Sequence, residues 1–251
     1  MDLSLSFYLV AASAVLLTGL SKSGFGGGLG VMSVPLMSLF ISPHLAVAVL
    51  MPVLLTMDII IVWQYRHRWN RAVVRTMLPG ALFGLCLGAL MFRAMDADLI
   101  RLFIGVLALF FVVQYVLQNR RAAESAGFGR PTIFAIGTVS GFASFIAHAG
   151  GPPVKGFLLS RQMEKSIFVG TNTMFFFAMN ALKTVAYGAM GQMTGESLTI
   201  SLTIAPMLLL GIWLGTRLHR LIDQGTFTHI VYGFLTIAGV KLVWDGMEGF
   251  W

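Results

Sequence analysis

Long apolar runs with almost no charge inside them dictate what this chain can fold into. They fall roughly at 5–20, 29–41, 44–65, 72–92, 99–118, 132–147, 152–160, 166–188, 199–216 and 228–244. A helix needs about 20 residues to cross the hydrocarbon core of a bilayer. Five runs reach that length (44–65, 72–92, 99–118, 166–188, 199–216), and 228–244 falls slightly short. The other four are shorter. They flank two glycine-rich stretches, "SKSGFGGGLG" at 21–30 and "AHAGGPPVKG" at 147–156. Only 11% of the residues are charged, against about 25% in a soluble domain. With 57% hydrophobic residues and a mean hydropathy of +0.84, the chain cannot coat a water-facing surface. The fold class is an all-α polytopic membrane protein, with membrane lipid as its surrounding partner.

The net charge of +7 does not point to nucleic acid. No basic stripe with interleaved aromatics occurs, and excess Lys and Arg in membrane proteins collect in cytoplasmic loops. The one cysteine, Cys86, excludes an intrachain disulfide and any metal site built on a cysteine cluster. The start "MDLSLSFYLV" lacks the basic n-region of a secretory signal, so the first apolar run is expected to be retained.

The halves 1–125 and 126–251 resemble each other. "GALFGLCLGALMFR" (80–93) matches "MLLLGIWLGTRLHR" (207–220), setting Gly84 and Gly88 on Gly211 and Gly215, and Arg93 on Arg220. Upstream, "GGG" at 26–28 corresponds to "GGP" at 150–152, and Asp58 falls close to Asn180. Each half is expected to hold a Gly-broken helix or hairpin plus three spanning helices. Loop charges set the sides. The loop at 66–75 carries four Arg and is cytoplasmic, 93–101 is outside, 119–130 inside, and 189–198 outside. Segment 166–188 then runs from inside to outside, and 132–165 must cross an even number of times or enter and return. On this count the halves are inverted repeats. A single broken helix crossing once at each site would make them parallel instead.

A non-helical stretch at membrane depth survives only where protein covers it or it lines a watery cavity. A helix that restarts after each break, at about 29 and about 152, turns a positive dipole end and unbonded N–H groups toward that space. Two such ends near the midplane suit a small oxyanion. The candidate substrate-binding residues are Gly26, Gly27 and Gly28 with Lys22 and Ser23 at the first break. Gly150, Gly151 and His148 stand at the second, joined by Asn172, Asn180 and Lys183 from the run 166–188. Ionisable groups inside spans are costly and face a cavity or a partner. Asp58, in "LLTMDIIIVW", is the candidate coupling group or charge partner. The plainer alternatives are glycines that only let helices pack closely and a structural Asp–Lys pair.

These features resemble the sulfite exporter TauE/SafE family of anion transporters over nearly the whole length. The likeness rests on "SGFGGGLGVMSVPLM" and on "AGGPPVKGFLLSRQMEKSIFVGTNTMFFFAMNALKTVAYG". It implies a duplicated multi-pass carrier in the plasma membrane of a prokaryote. The implied substrate is a small sulfur-containing anion: sulfite, thiosulfate or an organosulfonate such as sulfoacetate, with export preferred. A proton is the candidate coupling ion and a homodimer the candidate assembly. Lys155 after the double proline departs from the family pattern. Pointing inward, it would favour a dianion or a carboxylate-bearing sulfonate.

Other functions fit less well. No G-x-x-x-x-G-K-[ST] loop is present for ATP. Ser23-Gly24 lacks the upstream glycine of an intramembrane serine protease, and no paired His and carboxylates stand at helical spacing for a metal hydrolase. The protein is therefore expected not to be an enzyme and to need no cofactor or metal. An anion channel built on the same breaks is the remaining alternative.

Overall fold

The computed structural model describes residues 5–24, 30–118, 128–218 and 224–249. Among these, every regular element is helical: α1 (Leu5–Gly24), a 3₁₀ turn (Gly30–Met32), α2 (Ser33–Ser38), α3 (Pro43–Tyr65), α4 (Arg71–Ala94), α5 (Ala97–Gln118), α6 (Arg130–Ala147), α7 (Gly151–Ser160), α8 (Lys165–Ala189), α9 (Gly195–Leu218) and α10 (Gln224–Glu248). Seven of them, α1, α3, α4, α5, α6, α9 and α10, are long and apolar enough to cross a membrane. α8 has the length, at 25 residues, but its hydropathy is lowered by Thr171, Asn172, Thr173, Asn180 and Lys183, all buried. A helix that hides its polar seam inside the protein can span without being uniformly apolar.

The apolar run at 5–20 is shorter than the helix it forms. α1 continues through Ser21, Lys22 and Ser23, because Lys22 and Ser23 find partners on other helices. Each break is thus a long helix followed by a short one, α1 then α2 and α6 then α7. The starts of helices carry ordinary local signals. Ser42 caps α3 ahead of Pro43, its hydroxyl accepting from the Leu45 N–H at 3.3 Å, and Asn70 caps α4 by accepting from the Val73 N–H at 3.1 Å. Pro52 inside α3 cannot donate to the ladder. The carbonyl that loses its ladder donor is that of Ala48; those on either side of it bind side chains, Val47 facing His148 Nε2 at 3.0 Å and Val49 accepting from Ser201 at 2.7 Å.

The helices pair across the halves. α1 lies along α9 and α4 along α6, while α3 crosses α8 and α5 runs beside α10. Exchanging α1 to α5 with α6 to α10 maps these four pairings onto themselves. Asp58 and Asn180, matched by the sequence alignment, meet where α3 crosses α8: the Asn180 amide donates to Asp58 Oδ2 at 2.5 Å.

The α4–α6 and α1–α9 contacts are glycine-mediated. A Cβ on Gly84 would stand 2.0 Å from the Thr138 carbonyl oxygen, and one on Gly141 2.1 Å from that of Ala81. Gly211 approaches the Leu16 carbonyl in the same way, at 2.4 Å. The Gly84/Gly88 and Gly211/Gly215 pairs are therefore close-packing surfaces, as small residues are in lipid. The boundary between the halves at 125, and Arg220, lie outside the described residues.

Candidate functional site

α1, α3, α6, α7 and α8 converge on a cavity of about 50 Å³. Its wall draws side chains from both halves. α1 contributes Thr18 and Lys22 and the end of α6 contributes Ser144 and His148, while Leu54 of α3 answers to Phe176 of α8 by the same spacing that sets Asp58 on Asn180. Gly30, Val31, Gly151, Asn172, Asn180 and Lys183 complete it. About 10–15 Å³ admits one water, so the space fits roughly three to five water-sized groups, the scale of a small oxyanion.

The end of α6 is shaped for this cavity. His148 caps the helix in the left-handed conformation, with φ 50°, where histidine is several-fold enriched among non-glycine residues. Its amide closes the helix by donating to the Ser144 carbonyl at 3.1 Å. Its ring is held at both nitrogens. Nε2 lies 3.0 Å from the Val47 carbonyl and Nδ1 lies 2.8 Å from Lys183 Nζ. A carbonyl only accepts and an ammonium only donates. With Lys183 protonated, Nε2 carries the ring proton and Nδ1 is the bare acceptor of a neutral imidazole.

Lys183 is 1% exposed. Its three protons go to Ser144 O at 3.0 Å, Ser144 Oγ at 2.9 Å and His148 Nδ1 at 2.8 Å. All three acceptors are neutral and stand at the negative dipole end of α6, where a cation is stabilised. Among the described residues no carboxylate lies within salt-bridge reach of it. Asp58, fully buried, is already used: Lys22 Nζ lies 2.5 Å from Oδ1 and Asn180 holds Oδ2. Asp58 is thus the partner of Lys22. Two lysines face one carboxylate around the cavity; with both of them protonated, one positive charge is in excess.

The restarting helix of the second half is α7, whose N-terminus at Gly150–Gly151 abuts the cavity. Pro152 and Pro153 remove two of the four N–H groups a helix start would offer. Gly151 lines the cavity and Gly150 lies one residue behind it, fitted so tightly that a Cβ would stand 2.5 Å from the Ser140 carbonyl oxygen.

Of the candidate residues, the structure brings Lys22, His148, Gly151, Asn172, Asn180 and Lys183 to one cavity, with Asp58 directly behind Lys22 and Asn180. Ser23 is elsewhere: its hydroxyl donates to Gly19 O and Ile212 O, at the α1–α9 contact. Gly26, Gly27 and Gly28 lie outside the described residues. Lys155 is half-buried on α7 and is not part of the cavity lining. The sequence reading missed Thr18 and Ser144. Each stands one helical turn before a residue that was singled out, Lys22 and His148, so i, i+4 spacing would have found both.

A wider crevice of about 460 Å³ opens beside the start of α3 and the 190–196 loop, lined by His44, Arg101, Gln192 and Glu196 among others. A chain of rings links it to the cavity: His44 on Phe92 (4.6 Å between centroids), Phe92 on Tyr187 (5.9 Å) and Tyr187 beside His148 (6.1 Å). Phe92 and Tyr187 are buried, and in this conformation they stand between the two spaces.

The family model described as "Sulfite exporter TauE/SafE" matches residues 11–242. No curated protein and no solved structure matches the chain significantly.

Proposed function

The chain belongs to the TauE/SafE sulfite exporter family, a family of membrane anion transporters, and on that premise we propose that it is a secondary carrier of a small inorganic sulfur oxyanion such as sulfite or thiosulfate. The anion sits among Lys22, Ser144, His148, Asn172, Asn180 and Lys183. The observation that carries this reading is Lys183: a buried ammonium with neutral partners only, beside a second ammonium and a single carboxylate. A buried charge in excess is costly unless a partner arrives, and an anion is that partner. Asn172 makes no side-chain hydrogen bond among the described residues and lines the same space, so its amide is available to an acceptor oxygen.

The size of the cavity favours an inorganic ion over sulfoacetate. The loop charges support inverted halves with Arg66, Arg68, Arg71 and Arg75 on the cytoplasmic side; the plasma membrane of a prokaryote is what the family likeness implies. Export is the direction that the family description suggests. With no ATP-binding loop in the sequence, the driving force is an ion gradient or the gradient of the substrate itself.

The test is a thermal-shift and calorimetric screen of the purified protein in detergent against sulfite, thiosulfate, sulfate, sulfoacetate and taurine. Sulfite and thiosulfate are expected to raise the melting temperature most, and zwitterionic taurine least. A protein that responds to none of the anions, or to a cation instead, overturns the assignment.

A further inference from the structure

We propose that His148 is a proton-binding site coupled to the anion, so that a doubly charged oxyanion crosses together with one proton while a singly charged one crosses alone. This rests on the anion reading above and assigns its coupling ion.

The first argument is charge balance. With both lysines protonated, Lys22, Lys183 and Asp58 leave the cavity with one positive charge in excess. A monoanion neutralises it. A dianion overshoots by one, and a single added proton restores neutrality. In a low-dielectric site that residual charge matters. Among the side chains that line the cavity, His148 is the one whose ordinary titration range lies near neutrality.

The second argument is geometric. Nδ1 of His148 is the bare nitrogen, and Lys183 donates into it at 2.8 Å. A proton on Nδ1 would set two donors and two like charges face to face. Nδ1 can therefore hold the Lys183 hydrogen bond or its own proton, not both. An anion draws one Lys183 N–H away toward an acceptor oxygen, and the vacated nitrogen takes a proton from the water that admits the substrate. Nε2 keeps its proton and its bond to the Val47 carbonyl throughout, so the ring need not flip. On release Lys183 returns to Nδ1 and displaces the proton to the other side. No covalent bond forms, and the cycle returns to the starting charge.

The groups facing His148 are accounted for. α8 supplies Lys183 and the Tyr187 ring, whose hydroxyl donates to the Phe145 carbonyl. α1 supplies Lys22, neutralised by Asp58 of α3. α3 offers the Val47 carbonyl, α4 only the apolar ring of Phe92, packed on Tyr187, and Lys155 of α7 lies off the cavity. On the first-half side of the cavity the basic side chain is Lys22, already paired with a carboxylate. The titrating duty is thereby confined to one half.

The experiment uses the full chain in proteoliposomes loaded with a pH-sensitive dye. Thiosulfate, a dianion across the neutral range, and methanesulfonate, a permanent monoanion, are offered in turn; neither takes up a proton itself, as sulfite would. In the unmodified protein, thiosulfate entry is expected to acidify the lumen by about one proton per anion, and methanesulfonate entry to leave it unchanged. His148→Gln and His148→Asn, which cannot titrate, slow uptake, and the proton-to-thiosulfate ratio should fall about ten-fold. Thiosulfate entry without acidification in the unmodified protein overturns the proposal. So does an undiminished ratio in either variant. Should neither anion enter or shift the melting temperature, it is the anion reading that fails.

Discussion

Lys22 and Asp58 form the ion pair whose removal should be felt most. Asp58 is fully buried, with one oxygen on Lys22 and the other on Asn180. Asp58→Asn leaves Lys22 charged and unpaired at the edge of the cavity, which should cost about 3 kcal/mol. Adding Lys22→Met removes the orphaned charge and should restore most of the loss, read as melting temperature in detergent. A double variant no more stable than Asp58→Asn alone would show that the pair acts otherwise. Lys183→Met loses a charge-assisted contact to the anion, worth about 1.5–3 kcal/mol, and sulfite affinity by calorimetry should drop between about ten- and a hundred-fold. Because Lys183 also binds the end of α6, the variant should melt earlier as well. Unchanged affinity would remove it from the site. Much of this was legible beforehand: a lysine, an aspartate and an asparagine inside apolar runs have few reasons to exist. Which lysine the aspartate takes was not legible, since the pairing depends on how α1 meets α3. Ser23 shows a second limit. Consecutive helical residues point about 100° apart, so once Lys22 faces the cavity, Ser23 turns toward α9.

At the level of whole helices, the glycine contacts decide how closely α4 and α6 can lie. Gly141→Ala places a methyl against the Ala81 carbonyl, a backbone atom that cannot give way. The helix pair must separate, and the loss should exceed about 2 kcal/mol, in the range of overpacking. Gly233→Ala, in α10 where nothing lies within 4 Å of the added atom, should be neutral or gain up to about 1 kcal/mol from helix propensity. Comparing the two melting temperatures separates packing from glycine content. The repeat of paired glycines could be read from the chain because it recurs in both halves. The extent of α1 could not be. Hydropathy ended that helix at 20, while side-chain partners on α3 and α9 carried it through Lys22 to Gly24.

For the molecule as a whole, the arrangement in the bilayer can be checked by labelling. With Cys86 replaced by Ser, a cysteine at Gln192 should react with an impermeant maleimide from outside intact cells. One at His67 should react only after the membrane is opened. Reaction of both from one side would discard the inverted arrangement. The all-helical class and the places where spans are interrupted were legible early, because glycine, proline and charge are conspicuous in an apolar chain. The joining of the halves at Asp58 and Asn180 needed the fold itself.

That meeting point has a consequence for the working cycle. Were the two halves identical, trading conformations between them would interconvert two states of equal energy, and the carrier would rest open to either side with equal ease. Here one half holds Lys22 on Asp58 and the other holds His148 on Lys183. On the proposed reading of this cavity as the anion's seat, the degeneracy is lifted there, and the idle carrier is expected to prefer one orientation by an amount that changes with whatever occupies the seat.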